Sequence, residues 1–477
     1  MIYYPPMGRK SVEVMKDFRG VSTLDAFTMN ESYATVAKNL DADDYPAMKT
    51  RKARKKYGTG IVSGLKGIQG IYLYRSLYQA NQTVQEIAIC NANVYVKDNQ
   101  TWTEIFSYDL DPNSSAPVAT KDWNGTLFDV NGVTNLVLSP GTSPGMFRYN
   151  GTSLIAFDPQ IAEGILFPKY VTAHGERLYA AVGNSVHASA IANGLDWTTP
   201  ETTWSSGDTG ITDGEMINGL HAGQEKLLIF KPNNMYELYG DLPENYRIIK
   251  IAEGIGLINH KCIVDMQGIT YFLHTTGIYA YTGGRPRRIS DLIQKYIDNM
   301  SKAELGDCSI GTDETRLFVQ LPQGIMLVWH SEYNVWYEWD GFYARCMLSG
   351  NGNILFGSND SNVYGFTGST DETSVAWEWV SKPINTGLLP QRLRLNKMWL
   401  TAKLESGLID VYISKQPSGN SDWVKIDTVT ALQLVNKKTV INTSVAANAK
   451  VLRLKLSGAG MCTIYEILRE SKAFPLV

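Results

Sequence analysis

The sequence has 477 residues, enough for two or three domains and more than one core. Hydrophobic residues make up 44% and charged residues 19%, a balance that excludes a disordered chain. The formal net charge of −3 argues against a dedicated nucleic-acid or membrane binder.

The start, Met1-Ile2-Tyr3-Tyr4-Pro5-Pro6, lacks the basic and apolar regions of a signal peptide, and no apolar run approaches the ~18 residues of a membrane span. Cys90, Cys262, Cys308, Cys346 and Cys462 are odd in number and scattered, without a CxxC pair. A disulfide framework or structural zinc site is therefore not expected, and the chain reads as folded in a reducing cytoplasm.

Residues 1–60 are polar and poorly periodic and end in a basic cluster, Lys49, Arg51, Lys52, Arg54, Lys55 and Lys56. They read as an extended arm lying against other protein, and the basic cluster as a partner-facing or solvated surface rather than a nucleic-acid contact. Gly58 to Gly64 has neither P-loop spacing nor a βαβ context and reads as a flexible junction.

From residue 61 short apolar strands alternate with Gly, Asn, Asp and Ser turns, and a hairpin recurs seven times. Its copies lie at 88–96, 136–149, 171–182, 219–239, 263–281, 309–329 and 347–366. A period of ~40–45 residues with four short strands per unit is the signature of a β-propeller, here of six or seven blades over residues 61–370. High Tyr, Gly and Trp contents (26, 42 and 11) suit strands joined by tight turns. One helix is expected after Ser290, a candidate N-cap, with Leu292, Ile293, Tyr296, Ile297 and Met300 as a core-packing stripe. Residues 371–477 read as a second β domain, sandwich-like. Its clearest strand is Val451-Leu452-Arg453-Leu454-Lys455-Leu456, apolar on one face and basic on the other.

The residues give little chemistry. His174, His187, His221, His260, His274 and His330 form no HxH, HExxH or Cys/His motif, and no GxSxG elbow is present. Ser206-Gly207-Asp208-Thr209-Gly210 opens like the aspartate-box turn of sialidase-type propellers but has Asp213 where an aromatic belongs. Arg285, Arg287 and Arg288 share one loop rather than forming a carboxylate-binding constellation. Asp43/Asp44 and Asp196/Glu201 cannot be judged as acid/base pairs without geometry, because glycosidases need carboxyls ~5–10 Å apart. The aromatics of Tyr333 to Trp339 read as blade packing before a sugar platform. The expectation is a non-enzyme without catalytic, cofactor or metal residues and without a cofactor.

The chain resembles a family. Phe18-Arg19-Gly20-Val21, Asn30 through Asp41, and the basic segment ending at Gly58 are similar to the opening of many bacteriophage tail and head–tail connector proteins. Gly175 to Tyr179, Gly194 to Thr198, Gly207-Asp208, Ile217 to Leu220, Lys226 to Lys231 and Met235 to Gly240 resemble their central blades. Arg288-Ile289-Ser290, Gly407 to Ser414 and Asp422-Trp423 extend the likeness. These are loose patterns spread over nearly the whole chain, most like the tail nozzle or stabilisation (tail hub) proteins of short-tailed phages.

The resemblance implies a structural virion protein: a homohexameric ring of propellers around the DNA channel below portal and adaptor, retaining DNA and docking fibres or spikes. It implies DNA passing without tight binding, no membrane anchor, and assembly in the host cytoplasm. The alternatives are a propeller glycosidase and a carbohydrate-binding adhesin.

Overall fold

The computed structural model describes residues 10–61, 67–76, 83–107, 122–130, 132–141, 145–157, 160–161, 164–165, 167–206, 214–223, 226–350, 353–366, 374–386, 391–419, 422–443 and 449–474. The chain is all-β: six four-stranded antiparallel sheets and the first four strands of a nine-stranded sheet form the seven blades of a propeller, and the rest of that sheet packs with a six-stranded sheet into a sandwich-like C-terminal domain. Among the described residues no helix is long and apolar enough to cross a membrane.

Blades 1 to 6 take residues 68–106, 124–157, 170–205, 219–253, 263–288 and 309–339; blade 7 takes three strands from 346–366. Local sequence explains each blade. The second strands Leu227–Phe230 and Arg316–Leu321 are buried along their whole length, the first entirely apolar and the second apolar but for Arg316 and Gln320, because both of their faces are covered by neighbouring blades. Two-residue turns with positive φ at both positions, Asn91-Ala92 and Gly175-Glu176, close the hairpins in the sense that matches strand twist. First strands of successive blades lie side by side, blade 7 returns to blade 1, and Phe230 against Phe272 (5.1 Å) joins blades 4 and 5. The ring is closed.

Closure uses the N-terminal segment. Its strands are β1 (Lys10–Met15), β2 (Ala34–Lys38), β3 (Leu40–Asp41), β4 (Met48–Thr50) and β5 (Arg54–Lys56). Strand β5 supplies the outermost strand of blade 7, Arg54 opposite Phe366 and Lys56 opposite Tyr364. Strand β2 lies between the outer strand of blade 6 (Val335–Trp339) and the Ala376–Ser381 strand, fusing propeller and sandwich into one nine-stranded sheet. Strands β1 and β4 both pair with Cys462–Ala473 in the second sandwich sheet. The described part of the expected arm is thus woven into its own chain at four places, and β-structure takes the place of an arm lying against other protein.

The approach is close. Gly20 has φ +70°, Val21 N–H donates to Trp336 O (2.7 Å), and a Cβ on Gly20 would sit 2.0 Å from that oxygen. Only glycine fits there. Trp336, Tyr337, Trp339 and Trp379 are fully buried at this junction; Trp339 Nε1 donates to Leu40 O (2.7 Å) and Tyr337 OH to Phe18 O (3.1 Å). Each such ring contributes about 2–3 kcal/mol by burial. The aromatic strand is therefore packing on both faces and presents no platform.

The helix after Ser290 begins as a 3-10 turn at Asp291–Ile293 and continues as Gln294–Asp298, with Ile293 and Ile297 buried. Ser290 does not cap it. Its hydroxyl donates to Gln294 Oε1 (2.8 Å) and accepts from Ile278 N–H (3.1 Å), tying the helix to blade 5.

Candidate functional sites on the two propeller faces

The segments leading into the first strands gather at one end of the propeller axis, here the leading face. Asp122, before blade 2, pairs with Lys261 before blade 5 (2.7 Å) and with Arg345 before blade 7 (2.9 Å). One carboxylate thus bridges three blades. Beside it is a cavity of about 280 Å³ lined by Trp123, Asn124, Lys169, Tyr170, Asn259 and His260. The His260 ring stacks on Tyr170 (4.9 Å), and its Nε2 meets Asn124 Nδ2. Burial, then the neighbouring His221 and Lys169, pushes the His260 pKa down to about 3, so the ring is neutral at pH 7.

The opposite, trailing face carries three adjoining depressions. One of about 390 Å³ lies between blades 2 and 3, with Leu127, Phe128, Asp129 and Glu176. Another of about 490 Å³, between blades 3 and 4, has Glu176, Tyr179, Ile191, Tyr239, Asp241 and Tyr246. The third, about 160 Å³ between blades 4 and 5, has Lys226, Glu237, Thr270 and Tyr281. Shared residues, Glu176 and then Lys226, join them into a crescent.

Glu237, buried, is the most chemically loaded group in the crescent. Its carboxylate accepts from the hydroxyls of Tyr281 and Tyr239 and from Lys226 Nζ (3.2 Å). Burial, then the Glu237 charge, pushes the Tyr281 pKa up, which holds the phenol protonated and opposes its use as a nucleophile. The arrangement ties blade 4 to blade 5 as a satisfied hydrogen-bond network. Among the described residues no group of three His, Cys, Asp or Glu side chains is placed to hold a metal ion.

The basic cluster is split rather than gathered. Arg51 is buried, donating to Asn39 Oδ1 (2.8 Å), Lys52 O (3.0 Å) and Asp340 O (3.3 Å), with its guanidinium over the Trp339 and Phe342 rings. Arg51 therefore cannot face a partner; it is a core residue. Lys49 pairs with Asp44 (3.2 Å), and Arg54 lies over the Tyr364 ring (5.1 Å). Lys52, Lys55 and Lys56 are exposed.

Asp43 pairs with Arg316, and Asp196 caps its own turn through Thr198 and Thr199. Arg287 and Arg288 form the exposed outer strand of blade 5. Of the aspartate-box-like stretch, residues 207–210 lie outside the described residues, as do 62–64 of the glycine-rich junction. Sequence reasoning missed Asp122, Lys261 and Arg345. The available signal was positional: a charged residue one or two places before a blade's first strand. For Tyr281 no local signal existed, because it sits on blade 5 whereas Glu237, Tyr239 and Lys226 belong to blade 4.

The fold and both faces define an all-β protein, a seven-bladed propeller joined to a β-sandwich. No protein-family model matches the sequence, and no curated protein matches it. Among solved structures it is similar to the extracellular domain of a hybrid two-component system from B. thetaiotaomicron at 10% identity and TM-score 0.45, over 69% of this chain and 45% of that one. The chain thus spans less than half the length of that domain. It is also similar to YCF48 bound to D1 peptide (10% identity, TM-score 0.40, 68% of this chain and 98% of that one). A third likeness is to BamB from Moraxella catarrhalis (12% identity, TM-score 0.38, 66% and 97%).

Proposed function

We propose that the protein is a structural component of a bacteriophage tail, of the nozzle or stabilisation type. It assembles as a homohexameric ring that extends the DNA channel below portal and adaptor and docks fibres or spikes. The observation that supports this reading most is the continuous sheet through β2, which joins propeller and sandwich by backbone pairing. A ring that holds back packaged DNA must transmit force between subunits, and a hinge between domains would dissipate it. The near-neutral, slightly acidic balance of the chain suits a channel that DNA leaves without gripping, since each Lys or Arg contact would add salt-dependent affinity.

Electron microscopy of the purified protein, and of particles containing it, tests the reading. Sixfold rings below the portal are expected. A monomer within virions, or turnover of a bacterial surface polysaccharide abolished by one carboxylate substitution, would overturn it.

A further inference from the structure

The six-stranded sheet of the sandwich turns Met398, Leu400 and Ile467 into the core and leaves its other face open. On that outer face one row of residues stands in direct register across four strands. Val14 of β1 lies opposite Leu468, Leu468 opposite Trp399, and Trp399 opposite Val440. Directly opposed residues share a face, so the four side chains form a single apolar row. It crosses from β1 through the Cys462–Ala473 and Leu393–Leu404 strands to the Lys438–Ile441 strand, roughly 14 Å at ~4.8 Å per strand. Val14 is 50% and Val440 61% exposed, while Leu468 and Trp399 are half-buried.

Cations flank the row on both sides. Lys397 stands two residues from Trp399 on one side, with Arg394 beyond it, and Lys438 stands two residues from Val440 on the other. All three are exposed, and among the described residues none makes an ion pair. The two glutamates of this face are already taken, Glu470 by Lys10 (3.3 Å) and Glu466 by Lys16 (3.7 Å). A chain of net charge −3 thus keeps unpaired cations on either side of an exposed apolar row. At ~3.4 Å per residue, Lys397 and Lys438 stand roughly 14 Å apart along the strand direction.

We propose that this face docks an acidic amphipathic helix of another protein, its aliphatic stripe on the row from Val14 to Val440 and its carboxylates against Lys397 and Lys438. A helix, about 10–12 Å across with its side chains, fits between those cations. Its i, i+3, i+4 and i+7 positions supply the stripe. Other occupants suit the face less. A second copy meeting it with the same face would bring like charges together and desolvate them. A phosphate or sugar chain has no use for a row that is aliphatic but for one ring. A lipid surface takes side chains that protrude, whereas Leu468 and Trp399 are half sunk in the sheet. The face serves a monomer and a ring alike, so this docking and the ring reading above stand or fall separately.

The test is fluorescence anisotropy of a labelled helical peptide, built of leucines and glutamates in that pattern and titrated with the full chain. Thermal melting of each variant checks folding. Val14→Ser with Val440→Ser, and separately Lys397→Glu with Lys438→Glu, should each weaken binding at least about tenfold and leave the melting temperature in place. Ile249→Ser on blade 4, at a residue 45% exposed, is the control and should leave binding unchanged. Raised salt should weaken the wild-type complex, and a polyglutamate peptide without leucines should bind more weakly. Three results would each overturn the proposal: no binding by the wild-type chain, binding indifferent to either pair of substitutions, or tighter binding of heparin or phosphatidylglycerol vesicles than of the peptide.

Discussion

Arg316 Nη1 lies 2.6 Å from Asp41 Oδ2, joining residues 275 positions apart inside the core. Asp41 has no exposed surface; it also accepts from the Ala42 N–H (2.7 Å) and meets His330 Nε2. Arg316 in turn pairs with Asp313 (2.6 Å) and Asp43 (3.3 Å). This buried cluster fastens β3 to blade 6, at the seam where the sandwich meets the propeller.

Removing one member of a buried pair strands the other charge, which costs about 3–5 kcal/mol. Arg316→Met is therefore expected to lower the urea midpoint strongly. Arg316→Met combined with Asp41→Asn should cost less than the two single changes added together, because the second removes the orphaned carboxylate. Additive losses would show that the two side chains do not act as one unit.

The same cluster sets an acid limb of stability. Burial raises the Asp41 pKa, but the hydrogen bond from His330 and the charge of Arg316 outweigh it, so the group titrates below its ordinary value. A depressed carboxylate contributes stability that is complete above its unfolded pKa, about 3.9, and lost as pH falls through its lower folded value. Urea midpoints of wild type should fall on acidification from about pH 4 downward, and those of Asp41→Asn should fall less.

His260 acts in a different window. With its folded pKa near 3 and an ordinary value of about 6.5, the unfolded chain binds the proton first as pH falls. Stability should therefore decline from about pH 6.5 toward pH 3. In His260→Gln that slope should be shallower, measured as urea midpoints at pH 7, 6, 5 and 4. An unchanged slope would mean that the ring is not held neutral on the leading face.

Members of the basic cluster should separate in their effects on the isolated subunit. Arg51→Met removes buried hydrogen bonds from a charged group and should cost about 2–4 kcal/mol. Lys55→Gln should stay within about 0.5 kcal/mol, as exposed substitutions do. Equal losses at the two positions would contradict the burial of Arg51.

Residues 10–56 should be as protected as the propeller in the free protein. Strands β1, β2, β4 and β5 pair with strands that themselves lie in large sheets, and native hydrogen exchange reports such pairing directly. Slow amide exchange across β2 and β5 in the unassembled chain is expected. Fast exchange there, slowed only on assembly, would restore the picture of an arm ordered by its partners.

Much of the propeller was legible in residue order. Each of the seven recurring hairpins falls in a different blade, although those at 88–96 and 136–149 are second and third strands and the others begin with the first. Strand alternation and turn chemistry act within about ten residues, so the pattern survives without tertiary information. The blade count stayed between six and seven because the repeats are degenerate; the structure shows seven, the last completed by β5.

The N-terminal segment was the opposite case. Its polar composition suggested an arm lying against other protein, but its partners lie far along its own chain: Ser11 meets Ser471, Asp41 meets Arg316, and Arg51 meets Asp340. Nothing local marks Arg51 as a core residue beside an exposed Lys52. The burial of a cation depends on acceptors that arrive only when the chain has closed. Sequence by itself determined the recurring hairpins of the propeller and their turns, because these follow from nearest neighbours. Tertiary structure alone decided which polar residues became a clamp and which became a surface, because burying a charge is favourable only where distant groups converge to pair it.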